Sequence, residues 1–79
     1  MTAHPISRQG GFVLRFERGS RHDQRLTGHF LAWQGGYFIP CNNIEEAKAF
    51  AALNVAREVA FRAEHAYPGA RFVVVPVTH

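Results

Sequence analysis

The chain has 79 residues, a single cysteine and a formal net charge of +3 at pH 7. This length indicates one small domain whose stability margin is thin unless it oligomerises. The lone Cys41 excludes an internal disulfide and a cysteine-based zinc site. No apolar run approaches the roughly 20 residues that span a bilayer, and the N-terminus lacks the apolar core of a signal peptide. We therefore expect a cytoplasmic protein with no membrane partner.

The first predicted strand follows a polar leader. Residues 1–11 contain a proline and two adjacent glycines, which predicts a flexible leader before a single domain of residues 12–79. Residues 12–17, FVLRFE, place Phe12, Leu14 and Phe16 on one side with alternate residues opposite. This period of two predicts a half-buried strand.

A polar connection separates this strand from a predicted hairpin. Residues 18–28 have glycines near both ends and almost no apolar side chain, which indicates an exposed connection or a long hairpin whose arms extend into it. Residues 29–33, HFLAW, and 37–39, YFI, are the next two strands. Between them, Gly35-Gly36 supplies the positive φ that a tight turn needs. Pro40 ends the third strand or marks a sheet edge.

The long segment 43–70 is predicted to be helical. Asn43 is a good N-cap with Glu46 in capping-box position, and Tyr67-Pro68-Gly69 is a helix stop. The apolar residues before Ala52 are rotated by about half a turn from those after it. This shift predicts a short helix at 44–50, a break, and a main helix at 52–66. The alternative is one straight helix packed on two sides.

The last strand completes an α+β fold. Residues 70–77, ARFVVVPV, contain three consecutive valines, which predicts a strand buried on both faces or well inside the sheet, with regular pairing ending at Pro76. The result is a small, mainly antiparallel sheet in the order βββαβ, with the short and main helices on one face. The uncovered face is a candidate interaction surface, with Trp33 and Tyr37 as its candidate residues.

Residues that could support catalysis or metal binding do not form a convincing site. Ser20, His22 and Asp23 are neighbours in one loop, whereas a hydrolytic triad converges from separate elements. Cys41, flanked by Pro40 and an asparagine, is typical of a small side chain at a strand end. The five histidines have no i, i+4 pair. We therefore predict no enzyme activity, no cofactor and no metal.

A basic segment is the strongest functional signal. The candidate polyanion-binding residues are Arg15, Arg18, Arg21, His22 and Arg25. Arginine is suited to phosphate recognition through its planar fork, so a flexible loop of this kind can bind nucleic acid or an acidic surface. The alternative is ordinary solvation of a polar loop. The sequence lacks a single-strand RNA-binding motif of the KGFGFVxF type.

Residues 30–75 resemble a loose group of small phage or prophage proteins. The shared features are an aromatic hairpin, an Ala-x-x-Phe segment at 47–50, an alanine-rich helix, a Tyr-Pro-Gly-Ala stop at 67–70 and a closing valine strand. The 18–25 loop departs from the group. The resemblance implies a small accessory protein that binds something and brings no catalytic residues.

These features together predict a non-enzymatic protein-interaction module. Its partner is an unknown protein or a second copy of the chain, which binds through the uncovered sheet face. The alternative function is nucleic-acid or polyanion binding through the loop between Arg18 and Arg25.

Overall fold

The structure is a computed structural model that describes residues 11–77. Within that range the chain forms a four-stranded antiparallel sheet with one α-helix on one of its faces, which is an α+β fold. In chain order the elements are β1 (Gly11–Arg18), β2 (Phe30–Gln34), β3 (Tyr37–Cys41), α1 (Leu53–Ala66) and β4 (Arg71–Val77), with 3₁₀ turns at Gln24–Leu26 and Ile44–Glu46. The predicted leader, residues 1–11, lies outside the described residues except for Gly11, which begins β1.

The sheet order is β3-β2-β1-β4. The first three strands form a meander, and α1 then carries the chain to the free side of β1. Gly35 and Gly36 close the β2–β3 hairpin with φ values of +62° and +85°, which confirms the predicted turn.

The last strand corrects one prediction, because β4 lies at a sheet edge rather than inside the sheet. Its three valines divide between the two faces: Val74 packs against the core, whereas Val73 and Val75 alternate to the opposite face. Pro76 does not end the pairing, since it lies opposite Phe12 and the strand continues for one more residue.

The segment before α1 corrects a second prediction. The main helix begins just after Ala51 and Ala52, as predicted, but residues 44–50 do not form a short helix before it. Asn43 caps only a 3₁₀ turn, by accepting a hydrogen bond on its side-chain oxygen from Glu45 N–H at 2.9 Å. The chain then becomes extended, and Phe50 exchanges two backbone hydrogen bonds with Phe12, at 2.7 and 2.8 Å. Tertiary pairing with β1 therefore overrides the local helical pattern.

The helix α1 begins at Leu53 and ends at Ala66, close to the predicted main helix. Three alanines, Ala56, Ala60 and Ala63, are buried against the sheet. Small side chains let the helix approach closely, and larger residues fill the remaining space: the buried core also contains Leu14, Phe16, Leu31 and Phe50.

The connection from β1 to β2 is more ordered than predicted. Ser20 is only 5% exposed, and its hydroxyl oxygen accepts a hydrogen bond from Asp23 N–H at 3.1 Å. The Thr27 hydroxyl oxygen accepts from Gly19 N–H at 2.8 Å. These bonds satisfy the loop's own backbone groups, so the segment folds back on itself instead of remaining an open polar connection.

Candidate functional site

The sheet face turned away from α1, called the outer face below, is largely apolar. Cross-strand pairing and the alternation of side chains place residues from all four strands on it. Its apolar members are Val13, Phe30, Ala32, Ile39, Val73, Val75 and Val77. Val13 and Ala32 are buried, and the other five are partly exposed. The 3₁₀ turn Ile44–Glu46 borders this face, since Glu46 lines a concave region together with Ala32 and Ile39.

The two aromatic residues predicted for the interaction surface do not lie together. Trp33 pairs with Phe38 on the helix side of the β2–β3 hairpin, where their rings meet edge to face at 4.6 Å. Tyr37 pairs with Gln34 and therefore points to the outer face. Trp33 is 50% exposed and Tyr37 74%. Only Tyr37 belongs to the outer face, and it lies at the hairpin tip.

Two of the three outward-pointing residues on the free edge of β4, Phe72 and Pro76, offer no open N–H donor. Phe12 directs its N–H and C=O towards Phe50, away from β4. The opposing Pro76 therefore has its nitrogen at the free edge of β4, where proline costs no hydrogen bond of the sheet. Phe72 N–H points the same way, and the Glu64 carboxylate accepts its hydrogen bond at 3.3 Å. A row of exposed strand donors is the usual template for edge-to-edge pairing, and here it is interrupted at both positions.

The free edge of β3 is blocked in a similar way. The two-residue turn makes Gln34 and Tyr37 a hydrogen-bonded pair, so alternation turns the backbone of Phe38 and Pro40 outward. Pro40 has no N–H to offer, and the Tyr67 hydroxyl donates to the Phe38 carbonyl oxygen at 2.8 Å. Pro40 therefore marks an edge, one of the two possibilities that the sequence left open.

The loop after β1 packs against the turn that follows α1. Arg21 N–H donates to the Pro68 carbonyl oxygen at 2.7 Å, and the Arg18 Nε donates to the Gly69 carbonyl oxygen at 3.2 Å. Gly69 has a φ of +88°, and a Cβ there would lie 3.1 Å from the Arg21 backbone nitrogen. Glycine is therefore needed at this contact for conformation and for space.

The structure divides the candidate polyanion-binding residues. Arg18 and Arg21 both contact the 67–70 turn, whereas Arg15 lies on the outer face opposite Phe30. Arg25 forms an ion pair with Asp23 at 3.2 Å, and the hydrogen bond from Arg25 holds the pKa of the Asp23 carboxyl below its usual value. His22 is exposed in the loop.

Sequence reasoning missed Arg71. Pairing of β1 with β4 puts Arg71 directly opposite Arg18, after an irregularity that leaves Glu17 as an extra residue in β1. Arg71 stood alone in the sequence, about fifty residues from the basic loop. Only a prediction of the β1–β4 register could have brought the two together.

Other chemical groups are dispersed. The Cys41 thiol is partly exposed and donates to the Asn43 carbonyl oxygen at 3.4 Å. An open groove of about 490 Å³ runs between α1 and β4 and is lined mainly by apolar residues, including Leu53, Phe61 and Val74. Within residues 11–77, no three His, Cys, Asp or Glu side chains come together to bind a metal. In the same range no helix has the length and apolar character needed to cross a bilayer.

Comparisons with protein-family models, with curated proteins and with solved structures returned no match to this chain.

Proposed function

We propose that this chain is a non-enzymatic binding protein and that its outer face binds a second copy of the chain. The observation that carries the proposal is that all four strands place apolar residues on the face opposite α1, interrupted on the inner strand β1 by Arg15. Contiguous apolar surface of this kind favours burial against another protein surface. Packing of two such faces gives a sandwich with the helices outside.

The sheet edges support a face-to-face arrangement over a side-by-side one. Pro40 and Pro76 remove outward donors from β3 and β4, while Tyr67 and Glu64 occupy further edge groups. A second copy that added to either edge would leave backbone groups without partners, which costs about 1–3 kcal/mol for each buried group. The outer face has no comparable penalty, because its backbone groups are already paired within the sheet.

The charged residues of β1 are compatible with two-fold symmetry. Arg15 and Glu17 are both exposed and are two residues apart along the strand. Among the described residues neither makes a salt bridge. Arg15 lies between Phe30 and Val73 on an inner strand, so it falls within the outer face rather than at its rim. In an isologous dimer a contact from Arg15 to Glu17 of the second copy is made twice, so one compatible orientation gives both arginines an acidic partner.

The size of the face sets the expected affinity. Four strands about 4.8 Å apart and five to eight residues long give a footprint of about 19 Å by 17–26 Å. That footprint is smaller than the roughly 800 Å² that each partner buries in a standard stable interface. We therefore expect a dimer that dissociates in the micromolar range and whose population depends on concentration.

Sedimentation equilibrium on the full chain tests the proposal. The apparent mass should rise from 8.9 kDa towards twice that value as concentration increases from about 1 µM to about 1 mM. Val75→Asp places a charge on the outer face and should leave a monomer throughout. Val55→Asp is the matched control, because Val55 is 43% exposed on α1 and outside the face.

Circular dichroism separates loss of the dimer from loss of the fold. If Val75→Asp does not fold, the milder double variant Val73→Thr/Val75→Thr keeps β-branched side chains and should weaken the dimer at least tenfold. A wild-type chain that remains monomeric at the highest concentration overturns the proposal. Equal weakening by Val55→Asp overturns the assignment to the outer face.

The proposed relationship to small phage or prophage proteins rests on the features of residues 30–75. It stays a prediction, and a gene neighbourhood of phage structural or regulatory genes would support it.

A further inference from the structure

Three arginines from two parts of the chain border the 67–70 turn. Arg18 donates from Nε to the Gly69 carbonyl oxygen, and Arg21 donates from its backbone to the Pro68 carbonyl oxygen. Arg71 is opposite Arg18 in the β1–β4 pairing. All three side chains are exposed. We call Arg18, Arg21 and Arg71 the arginine cluster.

The cluster carries positive charge that the described residues do not neutralise. Salt bridges within residues 11–77 join Arg25 to Asp23 and Arg62 to Glu58, and none involves the cluster. Like charges directly opposite each other in a sheet are destabilising. The end of α1 at Ala66 contributes about half a negative charge, which offsets only a small part of three guanidinium charges.

One side chain of the cluster and the loop backbone beneath it are held in place before any ligand binds. The side chain of Arg18 is fixed by its bond to Gly69, which leaves its terminal nitrogens free to donate elsewhere. A Cβ on Gly19 would lie 2.6 Å from the Asp23 carbonyl oxygen, so the loop that carries Arg21 is tightly closed. The fixed Arg18 side chain and loop backbone lose less conformational entropy on binding than a flexible loop would.

We propose that the arginine cluster binds the phosphate backbone of a nucleic acid. Guanidinium groups match phosphate oxygens through paired N–H donors. The cluster lies on an exposed sheet end rather than in a cavity, so it suits a polymer with repeated phosphates better than a single enclosed anion. This proposal uses different residues from the outer-face dimer: alternation along β4 puts Arg71 on the same side of the sheet as Val73, but at the end of the strand beside the 67–70 turn.

Fluorescence anisotropy with a labelled single-stranded DNA oligonucleotide, its duplex and labelled heparin tests the proposal. Binding to at least one oligonucleotide should weaken linearly in log affinity against log salt. The variant Arg18→Gln/Arg21→Gln/Arg71→Gln should make that slope shallower by about 2–3, since each lost phosphate contact contributes about 0.7–0.9.

A matched control removes the same charge elsewhere. Lys48→Gln/Arg57→Gln/Arg62→Gln lowers the net charge equally but leaves the cluster intact, so its salt slope should change by less than about 1. If the cluster variant does not fold, Arg71→Gln alone serves, because Arg71 is exposed and makes no side-chain hydrogen bond within residues 11–77. That single change should reduce the slope by about 1.

Three results would overturn the proposal. The first is the absence of oligonucleotide binding at low salt. The second is an equal loss of slope in the control and cluster variants, which would indicate net charge rather than a site. The third is binding of heparin without binding of either oligonucleotide, which would indicate a sulfated polysaccharide as the ligand class.

Discussion

The contact between Gly69 and the basic loop gives the sharpest stability prediction. Gly69 and Gly28 have nearly the same φ, +88° and +90°. They differ in their surroundings, because a Cβ at Gly28 meets nothing within 4 Å, whereas one at Gly69 meets the Arg21 backbone nitrogen at 3.1 Å. The pair Gly69→Ala and Gly28→Ala therefore separates backbone conformation from steric contact.

The expected magnitudes follow from this difference. Both substitutions place a Cβ in the left-handed region, at a cost of about 1–2 kcal/mol. Gly69→Ala must also displace a backbone nitrogen that donates to the Pro68 carbonyl oxygen at 2.7 Å. Loss of that hydrogen bond adds about 0.5–1.5 kcal/mol. We expect Gly28→Ala to cost about 1–2 kcal/mol and Gly69→Ala about 1.5–3.5 kcal/mol.

Urea unfolding followed by circular dichroism measures both values, at a fixed protein concentration because any dimer links stability to concentration. A second readout is the salt slope of oligonucleotide binding, which should fall in Gly69→Ala and stay unchanged in Gly28→Ala. If the two variants have the same free energy of unfolding, the loop is not packed on the turn as described, and the reasoning about a fixed arginine cluster fails with it.

Two further predictions concern the packing of α1. The Tyr67 hydroxyl donates a hydrogen bond to the Phe38 carbonyl oxygen, and burial raises the pKa of Tyr67 above its ordinary value of 10.0. The stability that this hydroxyl contributes is therefore complete below about pH 10 and is lost as the pH rises through the higher pKa of the folded state. Tyr67→Phe should lower the free energy of unfolding by about 1 kcal/mol at pH 7. Denaturant unfolding of both chains at pH 7 and above pH 10 should show a smaller difference between them at the higher pH, and a constant difference would contradict this prediction. Ala63→Leu should lower the free energy of unfolding by about 1–3 kcal/mol, measured by thermal or urea unfolding, because Ala63 is fully buried. The control Ala66→Leu, at an exposed position, should change it by less than about 0.5 kcal/mol. Equal effects of the two substitutions would contradict the packing of α1 on the sheet through Ala63.

Local signals predicted the fold well where backbone chemistry decides the structure. Gly35-Gly36 requires a tight turn, the Tyr67-Pro68-Gly69 stop ends α1, and the alternating FVLRFE segment forms β1. Each of these depends on residues within a few positions of one another. The change of helical phase near Ala51 also indicated where α1 begins, at Leu53.

Local signals failed where distant pairing decides the structure. Residues 47–50 have a helical pattern, yet Phe50 bonds to Phe12 and Lys48 N–H donates to the Leu31 carbonyl oxygen. These bonds place the segment between β1 and β2, which pair directly only near Arg15. The three consecutive valines in β4 predicted a central strand, because a continuous apolar run is typical of a strand that is buried on both faces. The sequence alone does not reveal that Val74 faces the core while Val73 and Val75 face a partly exposed surface.

The same difference between local signals and distant pairing applies to the arginine cluster. Arg18 and Arg21 were visible as a basic loop, but Arg71 joins them only through the register of β1 with β4. That register also places Pro76 at an outward position of the edge, just as the hairpin register does for Pro40. The strand pairing that limits association at the edges therefore also leaves the outer face as the apolar surface and concentrates positive charge at one end of the sheet. The two proposed binding surfaces, an apolar face and a basic end, both follow from the order β3-β2-β1-β4. No other order of these strands brings Arg18 opposite Arg71 while keeping both prolines at free edges.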